Sequence, residues 1–210
     1  MHPLSAGDAR EPLSDALVHA LATCGGRATR ELVRDVAVAD PDLLLHGAAV
    51  ARLAVAIARR VGFVGERLVI LCRAALLHDV GKRYVPRAIL DKPSPLLAHE
   101  RQLVEAHPVV GATMLLGAGL LAEAAIVRHH HERWDGRGYA DRLHGEAIPL
   151  ESRIISAADA YDAMTSDRPY RHALPRDEAL AEIGRCAGSQ LDPDCAIALC
   201  AVLEQEALAA

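Results

Sequence analysis

Val50, Leu53, Ala54, Ile57, Ala58 and Val61 recur at three- and four-residue steps until Gly62, the spacing of one buried helix face with a glycine stop. His46 extends that inward stripe by one turn. Leu68 to Leu77 predicts a second helix that ends at His78-Asp79, where Gly81 and Pro86 enforce a loop. Beyond a loop marked by Pro93 and Pro95, helices are predicted over Leu96 to Ala106 and Pro108 to Leu116, with His107 just before the second. Leu120 to His131 reads as a helix whose last turn carries three consecutive histidines. The stretch from Asp135 to Pro149, with Gly136, Gly138 and Gly145, reads as a structured loop. Helical periodicity resumes from Glu151 to Met164 through Ile154, Ile155 and Ala158, and Asp159 lies on that helix. Two helices close the chain, about Arg176 to Ala187 and Asp192 to Leu208, separated at Gly188. Ahead of all these, Leu13 to Ala22 and Thr29 to Val38 predict short helices interrupted by Gly25-Gly26 and Asp40-Pro41.

Composition agrees with an all-α fold. With 210 residues, 51% of them apolar, but only one Phe, one Trp and four Tyr, core volume must come from aliphatic helices and not from aromatic-rich sheets. The order of elements suggests a short helical N-terminal segment over residues 1–41 and one helical domain over 42–210. A net charge of −5, with basic residues scattered among acids, leaves no broad surface for tracking phosphates, which argues against a nucleic-acid duplex as partner. Cys24, Cys72, Cys186, Cys195 and Cys200 are odd in number and lack C-x-x-C spacing, as expected of reduced thiols in a cytoplasm. The start shows no basic segment followed by an apolar run, and the longest uncharged stretch, Pro108 to Ala122, is too short to span a bilayer. A cytoplasmic protein with no membrane partner is the expectation.

The chemistry gathers on histidines and aspartates. His46, the pair His78-Asp79, His107, the run His129-His130-His131 and Asp159 are wide apart in sequence, and imidazole and carboxylate are good ligands for divalent metals. Two ions bridged by a carboxylate can bind phosphate oxygens and hold a hydroxide for in-line attack on phosphorus. Asp79 is the natural bridge, with His46, His78 and Asp159 completing one ion and His107, His130 and His131 the other. An oxygen and imidazole set without thiolate suits iron, manganese, nickel or zinc. Glu132, Asp135 and Asp162 stand either as acceptors that orient imidazoles or as ordinary acids.

These residues sit inside longer matched stretches: Ala74-Ala75-Leu76-Leu77-His78-Asp79-Val80-Gly81-Lys82, Ile89-Leu90-Asp91-Lys92-Pro93, His130-His131-Glu132-Arg133-Trp134-Asp135-Gly136, and Ala158 through Arg171. In that order, over about Asp42 to Pro193, the chain resembles an HD-GYP domain, a branch of the HD phosphohydrolases associated with cyclic di-GMP hydrolysis in bacterial signalling. The resemblance implies an HD-type helical bundle and metal ligation by His46, His78, Asp79, His107, His130, His131 and Asp159. It implies two or three divalent ions, iron first and manganese, nickel or zinc as alternatives, and a phosphodiesterase yielding pGpG or GMP. A third ion would use Asp42, one turn before His46, although a first-turn acid favoured by the helix dipole is the plain alternative.

Lys82 would neutralise or protonate at the scissile phosphate. Arg168, Tyr170 and Arg171 resemble the segment that holds the phosphate and base, since guanidinium groups match phosphate oxygens and tyrosine stacks on guanine. A solvated lysine and a charged helix-capping loop are the plain readings of these residues. Where the branch name has Gly-Tyr-Pro, this chain has Gly138-Tyr139-Ala140, which loses the rigidity of proline. Tyr139 is a candidate substrate contact, and its loop is linked to docking of GGDEF-type cyclases; a homodimer is a further candidate assembly. The rival readings are an HD phosphohydrolase acting on another nucleotide and a metal-binding signalling adaptor without turnover.

Overall fold

A computed structural model describes residues 26–167 and 172–209. The helix expected over Leu13 to Ala22, and the candidate contacts Arg168, Tyr170 and Arg171, lie outside these residues. The described chain is helical, with no β-strand: α1 (Arg27–Ala39), α2 (Pro41–Arg60), α3 (Glu66–Leu76), α4 (Arg87–Leu90), α5 (Ala98–Glu105), α6 (His107–Gly117), α7 (Leu121–Arg128), α8 (Leu150–Thr165), α9 (Arg176–Cys186) and α10 (Pro193–Ala209). Two 3-10 turns, Val80–Tyr84 and Gly145–Ala147, complete the order.

The apolar stripe of α2 forms the centre. Val50, Leu53, Ala54, Ile57 and Ala58 are buried and pack against α3 on one side and α8 on the other, meeting Leu71, Ala74, Ala75, Ile154, Ile155 and Ala158 in one core. Alanines in that set let the helix axes approach closely, while Leu and Ile fill the spaces between them. By length and composition α2 could cross a membrane, yet it also carries His46. Val33 and Val36 of α1 enter the same core. Asp40 separates α1 from α2 and caps the second, its carboxylate accepting from the Leu43 amide at 3.1 Å with Pro41 next in line.

Two local expectations need correction, and both concern histidines. The helix expected to run from Leu120 to His131 stops at Arg128, with His129 as its cap and His130 and His131 in the turn beyond. His107 is the first residue of α6, not the residue before it, and only Ala106 separates it from α5. At His130 the imidazole takes the Val127 carbonyl that a continuing helix would have used, and at His107 it takes the Val104 carbonyl, to which Pro108 has no N–H to donate.

Candidate metal centre

Three of the histidines follow one rule. α3 ends at Leu76, α5 at Glu105 and α7 at Arg128, and the last carbonyls of a helix have no intrahelical donor. His78 Nδ1 meets the Ala75 carbonyl at 2.8 Å, His107 Nδ1 the Val104 carbonyl at 2.7 Å, and His130 Nδ1 the Val127 carbonyl at 2.6 Å. Each imidazole therefore donates from Nδ1 to a carbonyl three residues back, which leaves Nε2 as the free lone pair. His46, inside α2, uses the Asp162 carboxylate at 2.8 Å for the same purpose. Asp162 is thus the acceptor that orients a ligand, whereas Glu132 accepts from the Asp141 amide at 2.6 Å and its other oxygen is buried without a hydrogen-bond partner. Asp135 is engaged with Arg133 and Arg137 instead.

The free nitrogens converge on Asp79, which is buried. Its two oxygens face different partners. Oδ2 lies 3.4 Å from His78 Nε2 and 3.7 Å from His46 Nε2, while Oδ1 lies 3.0 Å from His107 Nε2 and 3.8 Å from His130 Nε2. Asp159 Oδ1 closes the first side, 3.1 Å from His46 Nε2 and 3.8 Å from His78 Nε2. Ligand atoms of His46, His78 and Asp79 form one group within 4.8 Å of one another, and those of Asp79, His107, His130 and His131 form another. A carboxylate shared by two such groups is what a pair of bridged ions requires.

The residues fit divalent metal on independent grounds. His78 Nε2 and Asp79 Oδ1 are buried without a hydrogen-bond partner, a cost that few buried polar atoms carry unless they coordinate something. His107 and Asp79 are in contact, but not in hydrogen-bond geometry. None of the described free cysteines, Cys72, Cys186, Cys195 and Cys200, belongs to either group, so the donors are nitrogen and oxygen alone. Position 42 is placed differently: Asp42 is exposed on the first turn of α2 and lines the cleft beside His46, outside both ligand groups. His129 turns away from the centre, with Nε2 at 2.8 Å from Asp141.

Burial and charge set the protonation states apart. Burial alone would raise both carboxyls, but the Lys82 ammonium and the imidazoles facing Asp79, and the His46 hydrogen bond on Asp159, hold them well below the usual range. Burial pulls His46 down, yet its hydrogen bonds to Asp159 and Asp162 and the nearby acids push it up to about 10. His130 is pushed down to about 4 by burial, and His131 is lowered by burial and its imidazole neighbours. Metal binds neutral imidazole. Metal uptake at the His46 side therefore has to displace a proton at every pH below about 10, whereas His130 and His131 are already neutral at pH 7. Affinity at the first position is expected to rise by up to ~10-fold per pH unit between pH 6 and 9, with the His130 and His131 side much flatter. Stepwise metal titration by calorimetry across that range checks this, and equal pH slopes at both positions would refute it.

A cleft of about 460 Å³ opens beside the centre, lined by Asp40, Asp42, His46, Asp79, Lys82, Arg87, Asp91, Asp162 and Asp167 among others. Lys82 reaches Asp79 Oδ2 at 2.5 Å from the cleft side. With Lys82, Arg87 and a protonated His46 set against the carboxylates of Asp40, Asp42, Asp79, Asp91, Asp162 and Asp167 in this lining, an anionic ligand would be repelled until metal ions offset the charge. Tyr139 is not part of this lining; its ring lies 5.0 Å from that of His131.

Two glycines make this geometry reachable. A Cβ on Gly81 would stand 2.0 Å from the His107 carbonyl oxygen, and one on Gly138 would stand 2.5 Å from that of His131. Neither position has room for a side chain. Arg128 and Asp141, which tie the Tyr139 loop down, escaped the sequence reading, since a lone Arg and a lone loop Asp carry no spacing signal.

Comparison with known proteins accounts for the pattern. The HD domain family profile matches residues 13–195. The chain is 42% identical over 146 residues to the cyclic di-GMP phosphodiesterase response regulator RpfG of Xanthomonas campestris, a match covering 68% of this chain and 39% of that protein. It is 36% identical over 197 residues to the 3'3'-cGAMP-specific phosphodiesterase 3 of Vibrio cholerae, covering 93% of this chain and 41% of that one. It thus spans about two fifths of the length of these relatives. The solved structure of an HDG"Y"P protein from Bdellovibrio bacteriovorus superposes with a TM-score of 0.65 at 20% identity, over 84% of this chain and 61% of that one, a likeness of fold. The chain belongs to the HD domain family, in its HD-GYP branch, with alanine where the branch name has proline.

Proposed function

We propose that the protein is a metal-dependent phosphodiesterase of cyclic dinucleotides, hydrolysing cyclic di-GMP to pGpG or GMP. The observation that carries this reading is Asp79, whose two oxygens face two separate histidine groups while Lys82 approaches from an open cleft. His46, His78, Asp79 and Asp159 would hold one ion, and Asp79, His107, His130 and His131 the other, with iron first and manganese, nickel or zinc as alternatives. Asp42, on the His46 face of the same cleft, is the ligand offered for a third ion. The chemistry such ions supply when bound is polarisation of phosphoryl oxygens and activation of water near neutral pH.

The chain's own residues do the rest. Lys82 would set its ammonium beside the scissile phosphate, offsetting charge and offering a proton to the leaving oxygen. The carbonyls of Ala75, Val104 and Val127, with Asp162, hold the imidazoles in the tautomer that presents Nε2. Tyr139, next to His131, would contact a nucleobase or ribose, and Arg168, Tyr170 and Arg171 are assigned to phosphate and base from their sequence motif. A GGDEF-type cyclase on the Tyr139 loop, a homodimer and a cytoplasmic location belong to the same reading.

A second substrate is supported by one observation. A relative matched over 93% of this chain is named for 3'3'-cGAMP, so both dinucleotides belong in the assay. Protein purified without oxygen, analysed for metal per chain and supplied with iron or manganese, is expected to linearise cyclic di-GMP with at least two ions bound. Lys82→Met should lower kcat by roughly 10²-fold while leaving metal content unchanged. Full metal occupancy with neither dinucleotide consumed would turn the reading to a binding adaptor.

A further inference from the structure

The loop that carries Tyr139 leaves the histidine turn and is pinned back onto it. Gly138 packs against the His131 carbonyl with no room for a side chain, the Tyr139 amide donates to that carbonyl at 3.3 Å, and the Tyr139 ring lies over the His131 ring. Ala140 follows, a residue that leaves φ free where proline would fix it. Next comes Asp141, held by four contacts. Arg128 grips its carboxylate bidentately, 2.7 Å at each oxygen. His129 Nε2 lies 2.8 Å from it, and its own amide donates to Glu132 at 2.6 Å. All three partners flank the ligands His130 and His131 in one unbroken run, Arg128 to Glu132. Immediately after the latch the chain turns, with Arg142 at φ 57°.

We propose that Asp141 is a positioning residue: latched by Arg128, His129 and Glu132, it fixes Tyr139 over His131 for contact with the dinucleotide, a restraint that proline at position 140 would otherwise provide. The inference rests on Tyr139 meeting substrate. A bidentate guanidinium–carboxylate pair restrains orientation as well as distance, and anchoring one residue after Ala140 removes the freedom that alanine restores. The Arg128 and His129 contacts hold the Asp141 carboxyl down at about 2, so the latch stays charged across the working pH range.

The test uses the full, metal-loaded chain and Asp141→Ala. Metal per chain should be unchanged, and KM for cyclic di-GMP should rise about tenfold with kcat within about twofold. Trypsin cleavage after Arg137 and Arg142, both exposed, should quicken about tenfold as the loop opens more often. Adding Ala140→Pro to Asp141→Ala should restore both KM and trypsin resistance, and Arg128→Gln should reproduce the Asp141→Ala defect.

Unchanged KM and cleavage in Asp141→Ala would overturn the proposal. So would loss of metal, which would make Asp141 a support of the ligands. Failure of Ala140→Pro to rescue, when that single variant is itself normal, would also overturn it; if that variant is damaged, Arg128→Gln decides. Should the wild-type protein cleave no dinucleotide, the phosphodiesterase reading fails, and the trypsin comparison alone decides whether the latch holds the loop.

Discussion

Asp79→Ala is expected to empty both metal positions together and to lower phosphodiesterase turnover by at least roughly 10³-fold, about 4 kcal/mol of transition-state stabilisation. The size follows from geometry. Removing His46 or His131 would weaken one ligand group, but Asp79 contributes an oxygen to each and is the only carboxylate among the described residues in the His107 group. Helical circular dichroism should persist, because Asp79 is not part of the apolar core formed by α2, α3 and α8. Elemental analysis and turnover on the same sample decide the matter. Retention of two ions with activity intact would remove Asp79 from its bridging place and the proposed mechanism with it.

Gly81→Ala is expected to be the most damaging substitution outside the ligands. The added methyl would meet the His107 carbonyl oxygen at 2.0 Å and the Gly111 amide nitrogen at 2.7 Å, both of them backbone atoms that no rotamer change can clear. Either the Val80–Tyr84 turn or the start of α6 must shift. Overpacking of this kind costs about 1–3 kcal/mol, a Tm fall of roughly 2–12 °C for a chain of this size. His107 moves with its helix, so metal content should drop toward one ion per chain. A variant with unchanged Tm and full metal content would show that the turn and α6 are not locked together as described.

The all-helical class was readable from the three- and four-residue recurrence of Val50 to Val61 and from the scarcity of aromatic residues. Candidate ligands were readable because imidazole and carboxylate stand out among aliphatic neighbours at His78-Asp79 and His130-His131. Helix ends were not, and the reason is physical. Leu120 to His131 keeps helical periodicity to its last residue, but the helix yields at Arg128 because His130 takes the Val127 carbonyl with its side chain. Periodicity reports which face is buried, not where a side chain displaces the backbone bond. Asp162 was visible as an acid one turn from Asp159, yet only the crossing of α2 and α8 brings it to His46. Arg128 and Asp141 stand thirteen positions apart in sequence, and no local pattern announces a contact at that separation.

The convergence of α2, α8 and three helix ends on Asp79 also bears on how long the protein lasts. Residues as far apart in sequence as His46 and Asp159 meet only in the folded chain, so an ion held among them binds folded protein in preference to unfolded. With free ion a thousandfold above its dissociation constant, that preference adds about 4 kcal/mol to the folding free energy, comparable to much of a domain's total margin. Metal scarcity would then shorten the protein's half-life under proteolysis as well as silence its chemistry.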